Sequence, residues 1–357
     1  MSDTTGSVPT TEQDIVLRVK DLQTYFYTEI GVAKALNGVS FDIPARKVMG
    51  VVGESGCGKS VTALACMRLL PRSARVLKGE ISLFRHTENT AGSKNGHVEK
   101  VDLLALDKMG PEMRKIRGAQ LAMIFQEPMT SLNPSYTVGD QIAEAIILHQ
   151  EVDKAEAEKR TIGILDQVGM ANPKAIFRRF PHELSGGMRQ RAMIAMGLSC
   201  NPAVLFADEP TTALDVTTEA QILDLMRDLQ TKLGMTIVFI THNLGVVAQM
   251  CDAVSVMYLG RIVEQTSVDN IFYDPRHPYT KALLNSIPHA GSKGVHKRLE
   301  PIRGVVPDPY SSIKGCAFHP RCNSFMPGKC DVHVPASVTV DKGHTVRCFL
   351  YSDEVEE

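Results

Sequence analysis

The chain has 357 residues, 43% of them hydrophobic, and a formal net charge of −1, which is length enough for about two domains with real cores. That balance lacks the basic excess of a nucleic-acid binder, and no apolar run reaches the roughly 18 residues that cross a bilayer. The opening MSDTTGSVPTTEQD is polar and acidic, without a signal-peptide core, and residues 1–14 read as a disordered leader.

Residues 15–28, IVLRVKDLQTYFYT, alternate apolar and polar like an edge strand, and Ala35 to Ile43 reads as a second strand. KVMGVV, ending at Val52, reads as a buried strand, and Ser60 to Leu70 as a helix. Between them lies GESGCGKS, residues 53–60. A polyphosphate needs many donors at close range. Backbone N–H groups reach it only where no side chain intervenes, and a helix N-terminus adds oriented N–H groups and a favourable dipole. The stretch fits G-x-x-x-x-G-K-[ST]. Gly53, Gly56 and Gly58 would wrap the β-phosphate, Lys59 would reach the β- and γ-phosphates, and Ser60 would place its hydroxyl on Mg²⁺.

Two strand-like pieces, EISLF and VDLLAL, flank the polar loop HTENTAGSKNGHVEK. Leu121 to Phe125 is a buried strand, and residues 134–200 follow a helical period. AVLFAD is an apolar strand ending on an acid, Thr217 to Lys232 an amphipathic helix, and MTIVFI another buried strand. Strands alternating with helices predict an α/β core with a parallel sheet, interrupted by a helical block. From about residue 290 the composition shifts to Pro, Gly, His and Cys, marking a separate appendage. Asp208, at the end of AVLFAD, is placed to hold Mg²⁺ through water, and Glu209 beside it to polarise an attacking water. The carboxyl end of a strand is where an open α/β sheet binds ligands. In LSGGMRQR, Ser185, Gly186 and Gly187 open a helix and form a second anion cradle. One nucleotide does not need two cradles, so the second is read as serving a nucleotide held by another subunit.

With these residues the chain resembles an ATP-binding-cassette (ABC) ATPase over residues 15–270. GESGCGKS corresponds to Walker A, Gln126 after LAMIF to the Q-loop and LSGGMRQR to the signature. VLFADE corresponds to Walker B, Ala213-Leu214-Asp215 to the D-loop, and His242 after VFIT to the H-loop. The resemblance implies a P-loop NTPase core with an antiparallel β edge subdomain and a helical subdomain inserted at about 127–200. It implies a head-to-tail dimer holding two ATPs. Each would lie between one P-loop (Gly53, Glu54, Ser55, Gly56, Cys57, Gly58, Lys59, Ser60, Val61) and the other chain's signature (Ser185, Gly186, Gly187, Gln190). It makes Glu209 the general base, His242 a γ-phosphate contact and Asp215 the D-loop acid. Ser60, Gln126 and Asp208 attend Mg²⁺. Phe26, with Tyr25 and Tyr27 as neighbours, matches the aromatic that stacks on adenine; ordinary strand packing is the other reading of these three.

FQEPMTSLNPSYTVGDQI (125–142) and IFYDPRHPYTKALLNSIP (271–288) resemble the ATPase subunits of oligopeptide/dipeptide/nickel importers, with residues 271–357 as their C-terminal extension. The loop at 85–99 departs from the family by its length. The resemblance implies a paralogous ATPase partner, two integral permease subunits, an extracytoplasmic substrate-binding protein and no nucleic acid. It places the chain on the cytoplasmic face of a bacterial inner membrane, importing peptides, oligosaccharides or nickel complexes. The main rival is a soluble cassette ATPase in repair, translation or regulation; an exporter ATPase and a redox sensor whose cluster gates the ATPase are the others.

Eight cysteines in a cytosolic chain are not a disulfide framework. Cys57, Cys66, Cys200 and Cys251 are scattered and read as packing residues. Cys316, Cys322, Cys330 and Cys348 form C-x5-C-x7-C-x17-C, four donors able to hold a tetrahedral metal or a cluster. Spacing alone leaves a cluster, Zn²⁺ and unligated thiols open, with His319, His333 and His344 as substitute ligands. The family resemblance implies a 4Fe-4S cluster on the four cysteines.

Overall fold

The computed structural model describes residues 14–87, 97–126, 131–212, 214–286, 302–311 and 313–356. In chain order the elements are β1 (Ile15–Thr28), β2 (Gly31–Pro44), β3 (Val48–Val52), α1 (Lys59–Cys66), β4 (Ala74–Thr87) and β5 (His97–Asp102). There follow α2 (Pro111–Ala119), β6 (Leu121–Ile124), α3 (Val138–Gln150), α4 (Lys154–Gln167), α5 (Pro173–Phe177), α6 (Gly186–Leu198), β7 (Val204–Asp208), α7 (Val216–Leu233) and β8 (Thr236–Thr241). The chain closes with α8 (Leu244–Met250), β9 (Ala253–Tyr258), β10 (Arg261–Ser267), α9 (Val268–Tyr273), α10 (Pro278–Asn285), β11 (Val338–Asp341) and β12 (His344–Val346). It divides into two compact units. The first takes residues up to Pro44, Val48–Asp102 and Thr241 onward; the second takes Ala45–Lys47 and Leu103–Ile240. Residues 1–13 of the expected leader and 88–96 of the polar loop lie outside the described residues.

The first unit holds an antiparallel sheet in the order β2-β1-β4-β5. The period-2 pattern of β1 buries Ile15, Leu17, Val19, Leu22 and Thr24. That pattern suggested an edge strand, yet β1 is paired on both sides, with Leu17 opposite Ile43 of β2 and Leu83 of β4. Alternation reports one buried face and carries no information about the hydrogen-bonding edges. β2 begins at Gly31 rather than Ala35, because pairing with β1 runs on to the turn at Thr28 and Gly31. β5 starts inside the stretch read as loop and takes only Val101 and Asp102 from VDLLAL.

The same unit contributes the strand order β11-β12-β10-β9-β3 to a second sheet. β3 and β9 are parallel, from Met49 opposite Ala253 to Val52 opposite Val256. All five residues of β3 are buried, the near-continuous apolar run of a strand covered on both faces. The residues beyond 290 are not segregated as their composition suggested. β11 and β12 are short and extend the sheet from β10, with Glu264 opposite Val346. Glu264 sits fully buried at that join, facing His344 Nε2 at 2.8 Å and accepting the N–H groups of Arg276 and His277 at 2.6 and 2.9 Å.

In the second unit β6, β7 and β8 are parallel neighbours, Leu121 opposite Val204 and Val204 opposite Thr236. β7 and β8 are buried throughout. The helices start where capping chemistry dictates. Thr137 caps α3 by accepting from Asp140 N–H, Asp153 caps α4 through Glu156, and Asp215 caps α7 through Thr218. Val138, Ile142 and Ile146 of α3 and Ala157, Thr161 and Leu165 of α4 are buried stripes at helical spacing. No helix among the described residues is long and apolar enough to cross a membrane.

Candidate active site

Of the predicted site residues, Phe26, Gly53 to Val61 and His242 belong to the first unit, and Gln126, Ser185, Gly186, Gly187, Gln190, Asp208, Glu209 and Asp215 to the second. β3 delivers the chain into the loop of residues 53–58, and α1 begins at Lys59 with Gly58 at its cap, so the first-turn amides carry no side-chain cap. Two positions require glycine. Gly53 has φ +154°, and a Cβ there would lie 2.1 Å from the Met257 carbonyl oxygen. Gly58 has φ +105°, and its Cβ would lie 2.6 Å from the Ala35 oxygen. The loop is tied to the β9–β10 turn, since Gly260 N–H donates to the Cys57 carbonyl at 2.8 Å. Lys59 is buried, and its ammonium donates to the Gly53 and Glu54 carbonyls at 2.8 and 3.0 Å. Ser55 and Gly56 are exposed; Ser60 and Val61 are half-buried. The Cys57 thiol is buried, and burial pushes its pKa up. The cradle that a Cβ would fill, together with the helix N-terminus and the lysine, fits a polyphosphate.

Beside Gly56 a cavity of about 280 Å³ is lined by Lys34, Ala35 and Asn37 of β2 and by Asp308 and Ser311 of the C-terminal segment. Phe26 is half-buried in β1. Tyr27 is the more open ring, 41% exposed, with the Arg75 guanidinium 5.1 Å from its centroid. Tyr25 donates its hydroxyl to Asn37 at 3.3 Å. His242 is exposed, just beyond β8.

In the second unit Asp208 ends β7, buried, and Glu209 follows it half-buried with φ +46°, a left-handed conformation strained for a residue with a Cβ. Glu209 N–H donates to the Ile240 carbonyl at 2.8 Å, which fixes the backbone there. Its carboxylate accepts from Gln126 Nε2 at 3.1 Å and from Thr212 Oγ1 at 2.9 Å. Q-loop glutamine and predicted base are therefore in direct contact. Ser185 caps α6, accepting from Met188 N–H at 3.4 Å, and Ser185 and Gly186 are exposed. Gln190 departs from the predicted anion face. It is 1% exposed, one turn into α6, whereas Ser185 and Gly186 are exposed. Asp215 accepts from Thr218 N–H and Oγ1 at 2.9 and 2.7 Å, and these bonds hold its carboxyl below the usual range. Ala213 of the expected D-loop lies outside the described residues.

Of the four C-terminal cysteines Cys330 is buried and Cys316, Cys322 and Cys348 are half-buried. Cys316 N–H donates to the Cys330 carbonyl at 2.8 Å. Burial first, then its fellow thiols, pushes Cys316 up to about 11 and Cys348 up to about 12. Among the described residues no group of three or more His, Cys, Asp or Glu side chains is arranged to hold a metal ion.

Sequence reasoning missed the surroundings of Glu54. Arg321 grips its carboxylate with two bonds, 2.6 and 3.0 Å, and Tyr279 Oη accepts its N–H at 2.9 Å. Residues 267 apart in sequence carry no local pattern that could announce this pair.

An ABC transporter family model matches residues 36–212, and a model of the oligopeptide/dipeptide transporter C-terminal region matches residues 263–330. The chain is 48% identical to the "Probable peptide ABC transporter ATP-binding protein y4tR" of Sinorhizobium fredii, covering 96% of this chain and 97% of that one. It is 45% identical to the oligopeptide transport ATP-binding protein AppD of Bacillus subtilis over 96% and 98% of the two chains. The dipeptide transport ATP-binding protein DppD of the same organism is 46% identical over 96% of each. Among solved structures, the dimeric cassette MJ0796 bound to ADP and Pi superposes with a TM-score of 0.58 at 24% identity. It covers 71% of this chain and 98% of that one, a likeness of fold. A buried parallel sheet, a glycine-built phosphate loop and near-full-length relatives converge: the chain belongs to the ATP-binding, ATP-hydrolysing subunits of ABC transporters, in the oligopeptide/dipeptide branch.

Proposed function

We propose that this chain drives a peptide importer from the cytoplasmic face of a bacterial inner membrane. It would pair head-to-tail with a paralogous ATPase beneath two permease subunits fed by an extracytoplasmic binding protein. The observation that carries this reading is the likeness to peptide transport ATP-binding proteins along 96% of the chain, the C-terminal region included.

In this reading the backbone of Gly53 to Val61 and the Lys59 ammonium hold the ATP phosphates, with Phe26 toward the base. Ser60 and Asp208 hold Mg²⁺, attended by Gln126. Glu209 accepts the proton of the attacking water, kept in orientation by Gln126 and Thr212. His242 contacts the γ-phosphate, and Ser185, Gly186 and Gly187 cap the partner's nucleotide beside Asp215. Phosphoryl transfer of this kind relies on positioning and charge stabilisation. The helical block supports docking of a permease helix. Between α3, α4 and α5 lies a cavity of about 500 Å³ whose apolar residues Ala143, Ile147, Leu148 and Phe177 are interspersed with charged ones, among them Glu144 and Glu158, with Leu148 72% exposed.

Cys316, Cys322, Cys330 and Cys348 are the proposed ligands of a 4Fe-4S cluster. What supports this is four soft donors within one segment, Cys330 buried and the other three half-buried, in the C-terminal region that the family resemblance assigns to the cluster. Anaerobically purified protein is expected to show broad visible absorption that Cys316→Ser removes; a colourless protein with one zinc per chain overturns the cluster in favour of Zn²⁺.

The motor reading is tested by affinity purification from solubilised membranes. Integral subunits are expected to co-purify, with ATPase activity stimulated by the binding protein loaded with a peptide. An active ATPase found wholly free of integral subunits overturns it.

A further inference from the structure

Glu54 is a hazard in its position. It is an acid inside a loop whose task is to attract a polyphosphate, and Lys59 is the single cation of GESGCGKS. Its carboxylate is gripped by Arg321 in the fork-to-fork arrangement that gives guanidinium–carboxylate pairs their strength and direction. Arg321 is itself held rigidly. Its Nε donates to the Arg303 carbonyl at 2.9 Å, its Nη1 approaches the Tyr258 hydroxyl at 3.4 Å, and its side chain is 4% exposed. Tyr258, Tyr279 and Phe318 form a three-ring cluster with centroids 4.6 to 5.3 Å apart. From that cluster Tyr279 Oη accepts the Glu54 N–H. Side chain and backbone of this one loop residue are thus both fixed by β9 and the segments that follow it.

We propose that Arg321 is a positioning residue of the ATPase, which neutralises Glu54 and turns its carboxylate away so that the phosphate loop presents Lys59 and its amides without a competing negative charge. The C-terminal segment thereby sets nucleotide affinity from outside the nucleotide site. A bare brace and a charge neutraliser differ in what rescues them. A brace is lost with either partner, whereas a neutraliser becomes dispensable once the acid is gone.

The proposal rests on the loop holding the phosphates, and Lys59→Ala measured in parallel keeps the two apart. MgATP affinity of the full chain is measured by displacement of a fluorescent ATP analogue. Arg321→Gln, similar in reach and polar, is expected to weaken binding about tenfold, a defect that shrinks as added salt screens the freed carboxylate. Arg321→Lys, which keeps the charge and loses the fork, is expected to stay within about threefold of the parent. Arg321→Gln with Glu54→Gln is expected to recover most of the loss. Parent affinity in Arg321→Gln overturns the proposal, as does a double variant as weak as the single. If Lys59→Ala leaves affinity intact, the phosphate-loop reading itself falls.

Discussion

Gln126 Nε2 donates to Glu209 Oε2 at 3.1 Å, so the residue just beyond β6 and the residue just beyond β7 share a hydrogen bond at the carboxyl ends of neighbouring parallel strands. With Thr212 Oγ1 on the same oxygen, the carboxylate is held by two donors before any substrate arrives. Glu209→Gln keeps size and shape but cannot accept the water's proton. ATP binding is expected to persist while turnover falls by roughly 10² to 10⁴, the usual worth of a general base. Steady-state ATPase assays beside nucleotide titrations check this; turnover near the parent rate removes Glu209 from the role.

Gly58→Ala tests the fit of the loop against its surroundings. The new methyl group would meet the Ala35 oxygen at 2.6 Å and Leu36 Cδ2 at 2.9 Å while being forced to φ +105°. A cost of roughly 2 kcal/mol or more is expected from strain and overlap together. Nucleotide binding should vanish while far-UV circular dichroism stays near native. An alanine variant that binds MgATP normally would show that the loop can reshape.

Stability should fall in mild acid through His277. The imidazole is 1% exposed and accepts Tyr279 N–H on Nδ1 at 3.0 Å, and burial brings its pKa down from about 6.5 to about 4. Between those values the unfolded chain holds more protons than the folded one, so stability is complete above pH 6.5. It drains by up to about 1.4 kcal/mol per unit as the pH falls toward 4. Urea midpoints from pH 7.5 to 5 should show this slope, and His277→Asn, which can still cap α10, should flatten it. An unchanged slope in the variant assigns the acid sensitivity elsewhere.

Glu264 closes the join between β10 and the last strands. Burial alone would raise its carboxyl, but bonds from His344 and from the backbone N–H groups of Arg276 and His277 hold it below the usual range. Glu264→Ala strands several donors and is expected to cost roughly 3 kcal/mol or more, with Glu264→Gln milder. Chemical denaturation measures the difference, and limited proteolysis should find the C-terminal segment released first in the alanine variant. Equal stability of the two variants would mean that charge and hydrogen bonds contribute little there.

The strand–loop–helix turn at residues 53–58 was legible because its glycines are compressed between a buried strand and a helix. The strand ending at Asp208, with Glu209 beyond it, was legible because an apolar run stops there on two acids. Register across a sheet was not, since the alternation of β1 shows only which face is wet, and it hid a strand paired on both sides. Gln190 illustrates the same limit. LSGGMRQR marks where α6 begins, while the packing around the helix decides that residue 190 is buried. The C-terminal segment read as a separate body because its composition changes, yet it is held by strand pairing to β10 and by long-range side-chain bonds such as Glu264 to His344 and Arg321 to Glu54. Such pairs leave no periodic trace.

The left-handed backbone of Glu209, φ +46°, sets robustness against work at one position. Glycine there would relax the chain by roughly 1 kcal/mol and remove the proposed proton acceptor in the same stroke. With Glu209 as the proposed base, a screen rewarding heat resistance alone drifts toward an inert protein at residue 209, and any effort to toughen this ATPase must hold that residue constant and seek its gains elsewhere.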